Sequence, residues 1–139
     1  MSLFKVFDIS GSAMSAQSVR LNTTASNLAN ADSVSSSINE TYRARKPVFA
    51  ADLDRALSDR QESVGVKVLG IVETNKPLQK EFRPDHPMAD QDGFIYKPNV
   101  NVVEEMTDML SASRNYQTNV QVADAAKQML QQTLRLGKG

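Results

Sequence analysis

The sequence predicts a mainly α protein with a small β-rich insertion, in which long N- and C-terminal helices pair as a coiled-coil-like bundle and the middle forms a hairpin-rich unit. Three observations carry this. From Phe4 to Ala31, one heptad position holds Phe4, Gly11, Ser18 and Ala25 and the other holds Phe7, Met14, Leu21 and Leu28, an unbroken 3-4-3-4 seam. From residue 102 to residue 134 the alternation returns through Val102, Met106, Met109, Ser113, Tyr116, Val120, Ala123, Lys127, Leu130 and Leu134. Between them, residues 42–98 change to β-branched alternation broken by turn-forming Pro, Asn, Asp and Gly.

The opening helix carries a single charge, Arg20, between Ile9 and Ala31. A helix with one dry side and one wet side normally places Lys and Glu on the wet one, so this helix is predicted to have neighbours on several sides. Asn30 is suited to end it, because Asn tolerates the left-handed conformation found at helix termini. Residues 32–41, DSVSSSINET, have little apolar content and read as a flexible linker. In the β-rich middle domain, 42–98, residues 42–49 read as a strand ending near Pro47. The polar stretch 51–63 fits a helical turn or a loop equally well. Residues 64–73 are the strongest strand, with Val64, Val66, Val68 and Val72 on one alternating face. A turn at Asn75-Lys76-Pro77 leads to a strand near Leu78 to Arg83. After Pro-bounded irregular structure, a turn at Asp92-Gly93 precedes a short strand from Phe94 to Lys97. The helical period resumes at Asn99 and reaches Gly137, a suitable stop. Residues 1–31 and 99–139 together thus form one terminal helical domain.

Composition narrows the function. The chain has 139 residues, and its 16 basic and 16 acidic side chains cancel, which removes the broad attraction that nucleic acid or an anionic membrane would use. There is no cysteine, hence no disulfide framework and no thiolate metal site. Lys5, Asp8 and Ser10 interrupt any apolar run that would make a secretory signal, and no stretch is apolar enough to insert into a membrane. On these marks alone the chain reads as cytosolic. Catalysis has little support, and no cofactor or metal is predicted. Glu104 and Glu105 are adjacent, so a helix points them about 100° apart, as on a solvated face. His86 beside Pro87 reads as a loop residue. Asp85, Asp90, Asp92 and Gly93 lack the regular spacing and closing Glu of a calcium loop. Helices of about 40 and 50 Å that pair only with each other would leave most of their surface wet. Their sparse charge predicts that other copies or sibling chains cover the rest.

Two segments carry a resemblance. Ser12 to Asn22, SAMSAQSVRLN, followed by ASNLANA from Ala25 to Ala31, resembles the N-terminal signature of bacterial flagellar rod and hook axial proteins. PNVNVVEEMTDMLSASRNYQTN, Pro98 to Asn119, is similar to the other end of that family. The IxGSAMxAQ opening, ASNLANADS, the Tyr42-Arg43 pair and HPMAD before PNVN look most like the proximal-rod branch of the basal-body rod proteins. Hook and distal-rod proteins usually follow the Asn-rich signature with Thr-x-Gly-Tyr, whereas Asp32-Ser33-Val34 here leads into a Ser-rich insertion.

The resemblance implies a structural subunit of the rod, the drive shaft that crosses the periplasm and joins the motor's membrane ring to the hook. It implies export through the flagellar type III apparatus without a cleaved signal peptide, which replaces the cytosolic reading. Its partners would be other rod proteins and further copies of itself. The terminal helices would then pack into a tube, with Phe7, Met14, Leu21 and Leu28 facing Met106, Met109, Tyr116, Val120, Ala123, Leu130 and Leu134. Asn22, Asn27, Asn30, Asn115, Gln117 and Asn119 would bond between helices, or else serve as caps and solvated amides. Core packing within one chain would use the same side chains. The rival readings are a soluble coiled-coil adaptor or export chaperone and another proximal-rod sibling, with a peptidoglycan-cleaving enzyme a distant third.

Overall fold

The two terminal helices have the lengths the periodicity predicts. In the computed structural model, which describes residues 3–52 and 64–137, α1 spans Leu3–Ala29 and α2 spans Val102–Leu136. The α1 terminus falls at Asn30, whose backbone N–H donates back to Ser26 and Asn27 carbonyls at 3.2 Å and whose Nδ2 donates to the Ser26 carbonyl at 2.8 Å. α2 begins at Asn101, an extended N-cap whose Oδ1 accepts from the Val103 and Glu104 N–H groups, with Glu104 and Glu105 complementing the dipole in the first turn. Gly137 closes it, donating to the Thr133 carbonyl at 3.1 Å.

The helices run antiparallel. Asn27, near the end of α1, holds Arg45, whose neighbour Lys46 reaches Glu104 and Glu105; one turn further along α2, Asp108 meets Arg20, two turns back along α1.

The contact between them is rotated from the predicted seam. Ser10, Ala16, Thr23, Thr24 and Asn27 are the buried residues of α1, while Phe4, Gly11, Ser18 and Ala25 are exposed. On α2 the buried residues are Glu105, Ala112 and Ala126, and Met106 is 60% exposed. On one line of the predicted α2 seam Met109, Ala123 and Leu130 are half-buried while Tyr116 is exposed; on the other, burial is centred one residue earlier, at 105, 112 and 126, with Ser113 and Val120 half-buried beside it. Small residues let the backbones approach, so the helices meet through alanines and short polar side chains and turn their largest side chains outward or to the margin.

Among the described residues the middle forms two two-stranded antiparallel sheets. β1, Arg45–Ala51, pairs with β2, Val66–Glu73, and β3, Gln79–Phe82, pairs with β4, Phe94–Lys97. β1 does not end at Pro47. Pro47 lies inside it, opposite Ile71, because a strand with one neighbour has N–H groups that need no partner on its free side. Register shifts between Val48 and Phe49. The valine face of β2 is not dry, since Val66 and Val72 are exposed together with Leu69 and Ile71. The turn-or-loop reading of 51–63 falls almost wholly outside the described residues.

Residues 32–41 are not a free linker. Ser35 exchanges two backbone hydrogen bonds with Tyr96 of β4, both 3.0 Å, while the Ser33 hydroxyl donates to the Asn30 carbonyl and the Thr41 hydroxyl to the Ser37 carbonyl. Hydroxyls that made the stretch look unstructured instead satisfy its own carbonyls.

Beyond β3, Gly93 adopts φ 81°, the left-handed turn predicted for Asp92-Gly93. Asp90 holds this turn: Oδ1 accepts from the Asp92 and Phe94 N–H groups at 3.0 and 2.8 Å, and Oδ2 accepts from the Tyr96 hydroxyl at 3.2 Å. The Phe94 N–H, with the other donors, keeps the Asp90 carboxyl below its ordinary pKa. Both oxygens are thus occupied by the turn. His86 acts as a loop residue, its Nδ1 accepting from the Met88 N–H at 3.0 Å.

Candidate assembly interface

An assembly surface on long helices needs a rigid junction where they meet the middle of the chain, and polar side chains build it. Asn27 is fully buried, and its amide pairs with Arg45 as another strand would. Nδ2 donates to the Arg45 carbonyl at 2.8 Å, and Oδ1 accepts from the Arg45 N–H at 2.9 Å and the Tyr42 hydroxyl at 2.8 Å. α1 thereby fixes the first residue of β1. Asn99 does the same from the other side. Its Oδ1 accepts from the Ala44 N–H at 2.7 Å, and its Nδ2 donates to the Lys76 carbonyl at 2.7 Å and to the Thr74 hydroxyl at 3.1 Å. With Asn101 capping α2, the PNVN segment ties both ends of the first hairpin to the start of the closing helix.

A charge cluster completes the junction. Lys46 Nζ lies 2.8 Å from Glu104, 3.2 Å from Asp108 and 3.7 Å from Glu105; Arg20 reaches Asp108 at 2.7 Å and Lys76 reaches Glu104 at 3.4 Å. Glu105 is buried, so the solvated-face reading of Glu104 and Glu105 is corrected: adjacent carboxylates on diverging directions of α2 are bridged by one lysine. Burial by itself would lower the Lys46 pKa, but hydrogen bonds to Glu104 and Asp108 and the nearby carboxylates outweigh it and raise the value. Hydrogen bonding to Lys46 lowers Glu104. Asp108 is also lowered, because Arg20 and Lys46 overcome the opposing effect of burial.

These directions set a pH window. The depressed carboxylates contribute stability that is present above their ordinary values of 4.5 and 3.8 and is lost as pH falls through their lower folded values. Lys46 contributes below 10.5 and loses its contribution as pH rises through its raised value. The attachment of the first hairpin is expected to be strongest between about pH 5 and pH 10. Hydrogen exchange of the β1 and β2 amides across this range measures it; protection unchanged on acidification below the carboxylate values would refute it.

The structure distributes the predicted interface residues unevenly. Asn27 lies in the junction, bonded to a strand rather than to a helix. Asn30 and Asn119 donate to carbonyls of their own helices, Ser26 and Asn115. Phe7, Met14, Leu21, Leu28, Met109, Val120, Ala123 and Leu130 are half-buried at the margins of the helix pair. Met106, Tyr116 and Leu134 are exposed, as are Val103, Leu110, Met129 and Leu136. Sequence reasoning missed Lys46, Asp108, Asn99 and Tyr42. One signal pointed to the cluster: Arg20, the lone charge in a long uncharged stretch, is the kind of residue that needs a specific partner.

Among the described residues few large side chains are buried, since the apolar core there consists of Ala16, Ala44, Ile95, Val100, Ala112 and Ala126. Its accessible surface is 9612 Å² for 15.3 kDa, against about 7,100 Å² for a compact monomer of that mass. Paired terminal helices with outward-facing apolar side chains, joined to a small β unit by a polar junction, define the architecture of an axial assembly subunit.

Comparison with known proteins identifies the class. Residues 7–35 match the family profile described as flagella basal body rod protein, and residues 91–136 match the one described as flagellar basal body rod FlgEFG protein C-terminal. The chain is 46% identical over 138 residues to the flagellar basal-body rod protein FlgC of Salmonella typhimurium, an alignment covering 99% of this chain and all of the relative. It is 45% identical over the same span to FlgC of Escherichia coli O6:H1, again covering 99% of the chain and 100% of the relative. FlgC of Buchnera aphidicola from Schizaphis graminum is 40% identical over 141 residues, with the same coverage. The chain belongs to the FlgC family of flagellar basal-body rod proteins.

Proposed function

We propose that this chain is a structural subunit of the proximal part of the flagellar rod, built into the shaft by packing of its terminal helices and performing no catalysis. Full-length similarity to FlgC relatives, spanning both helices and the unit between them, carries the reading. The excess surface and the outward-facing apolar side chains support it, because a tube wall supplies the burial that the single chain lacks. On this reading the margins and outer faces of the helices form the assembly interface: Phe7, Met14, Leu21 and Leu28 on α1, and Met106, Met109, Tyr116, Val120, Ala123, Leu130 and Leu134 on α2. Asn27 and Asn30 set the end of α1. The partners are other rod proteins and further copies of the chain, delivered by the flagellar type III export apparatus without signal cleavage to the periplasm-spanning rod. No helix among the described residues is long and apolar enough to cross a membrane.

Met106→Asp is the direct test. Met106 is exposed in the single chain, so the variant is expected to change folding stability by no more than about 0.5 kcal/mol. In cells it is expected to abolish swimming and to be missing from purified basal bodies. A stable Met106→Asp chain that incorporates and supports swimming would remove this residue from the interface. Failure of the wild-type chain to appear in basal bodies would favour the adaptor or chaperone reading.

A further inference from the structure

We infer that Ser12 and Gly65 form a clasp that holds the far end of the first hairpin down along α1, and that the clasped form is the one built into the rod, an inference that rests on the rod-subunit reading. The hairpin of β1 and β2 is tied to α1 at two places. At its root, the fully buried Asn27 holds both backbone groups of Arg45. At its far end, the Ser12 hydroxyl accepts from the Val66 N–H at 3.1 Å while donating to the Ile9 carbonyl of its own helix at 2.8 Å. The lengths agree: the run of α1 from Ser12 to Asn27 rises about 22 Å, and β1 from Arg45 to Ala51 spans about 20 Å. Between the two ties hairpin and helix stand apart. A cleft of about 500 Å³ separates them, lined by Val19, Asn22 and Thr23 of α1 and by Ile71 and Glu73 of β2. The hairpin is therefore a strap, fastened at both ends and loose in the middle.

Gly65 is the informative residue. Left-handed φ among the described glycines belongs to Gly93, so the backbone at Gly65 does not call for glycine. Its surroundings do. A Cβ built there would lie 2.8 Å from the Ser12 hydroxyl oxygen and 3.4 Å from the Ser12 Cβ, while the Gly65 carbonyl accepts from the Asp52 N–H at 2.9 Å. Gly65 thus sits between the end of β1 and the helix, and its missing side chain is what lets Val66 reach Ser12. The two ties differ in strength. The root is buried and backed by Asn99 and Lys46, whereas the clasp is one hydrogen bond at the surface, where water competes for both groups. The far end is consequently the part that lifts, with the root as its pivot. A two-stranded hairpin standing alone is marginal in water, so a lifted strap loses its direction. Fastening it beforehand lowers the ordering cost of every contact a repeated subunit makes.

The clasp is close to disulfide geometry, because a Cβ at position 65 lies 3.4 Å from that of Ser12 and a disulfide spans about 3.5–4.5 Å between Cβ atoms. The chain has no cysteine of its own. Gly65→Cys alone inserts the clashing Cβ and is expected to lift the far end: helix content by circular dichroism stays at the wild-type level and the Val66 amide exchanges several-fold faster, while incorporation into basal bodies and swimming fall several-fold. Adding Ser12→Cys turns the same obstruction into a bond. The pair, oxidised in cells, is expected to run as a monomer without reductant, to resist thiol alkylation in purified basal bodies, and to restore incorporation and swimming to near the wild-type level. Normal incorporation of Gly65→Cys would overturn the inference, since the clasp would then be dispensable. So would an oxidised pair that stays out of basal bodies, or a pair that closes no bond within one chain. Absence of the wild-type chain from basal bodies overturns the rod reading instead.

Discussion

Lys46→Met is expected to lower folding stability by about 3–5 kcal/mol, and the double change Lys46→Met with Glu105→Leu to recover most of that loss. The Glu105 side chain is only 4% exposed, and Lys46 is the cation beside it, at 3.7 Å. Removing the ammonium takes from a poorly hydrated carboxylate the cation that lies within 4 Å of it among the described residues, which is the expensive way to break a buried pair. The other two carboxylates are better protected. Asp108 keeps Arg20 at 2.7 Å, and Glu104 keeps Lys76 at 3.4 Å and is 42% exposed to water. The cost therefore concentrates on Glu105, and replacing that residue with leucine removes the charge that causes it. Lys76→Met is the control, expected to cost less than about 0.5 kcal/mol because its pair is solvated. Urea unfolding at pH 7 followed by circular dichroism measures all three variants. A Lys46→Met loss below about 1 kcal/mol, or no recovery in the double variant, would show that the cluster is not organised around Glu105.

Elements and their ends were legible in the sequence because they depend on local rules. Asn30 and Gly137 stop the helices where the end of the period places them, although Gly137 keeps a right-handed φ of −78°, and Asp92-Gly93 makes its turn because Gly93 tolerates a φ of 81°. β1 was misjudged at Pro47 because the rule that proline ends strands applies to strands with two neighbours. The phase of the helix contact was not legible. Periodicity registers every dry face, whether its neighbour belongs to the same chain or to another. The seam through Phe7, Met14, Leu21 and Leu28 and the one through Met106 and Leu134 combine contacts made within the chain with faces left open. The residues that fix the contact within the chain, Ala112, Ala126, Thr24 and Glu105, contribute little to an apolar pattern, being small or polar. The junction was partly visible. Asn27 was among the helix amides expected to bond between helices or to cap, but its partner is a strand reached across the Ser-rich turn, and no spacing rule along the chain could name Arg45.

That junction gives the second large effect. Asn27→Ala is expected to destabilise the fold by about 3 kcal/mol, because truncation strands the N–H and carbonyl of Arg45 together beside the fully buried position 27 and leaves the Tyr42 hydroxyl, among the described residues, with Ser26 at 3.3 Å. Asn27→Asp distinguishes loss of a side chain from loss of one hydrogen. The introduced carboxylate can still accept from Arg45 and Tyr42, but it opposes an oxygen to the Arg45 carbonyl where Nδ2 now donates. At pH 7 this variant is expected to be at least as unstable as Asn27→Ala. On acidification below about pH 5 the carboxyl can be protonated and donate to that carbonyl. Asn27→Asp should therefore become more stable than Asn27→Ala at low pH, even while both weaken as Glu104 and Asp108 lose their charge. Parallel pH dependence of the two variants would mean that the donor to Arg45 contributes little and that the cavity left at position 27 accounts for the loss. A crossing of the two curves would locate the coupling between α1 and β1 in a single amide, the link through which the helical wall would hold the first hairpin at a fixed angle.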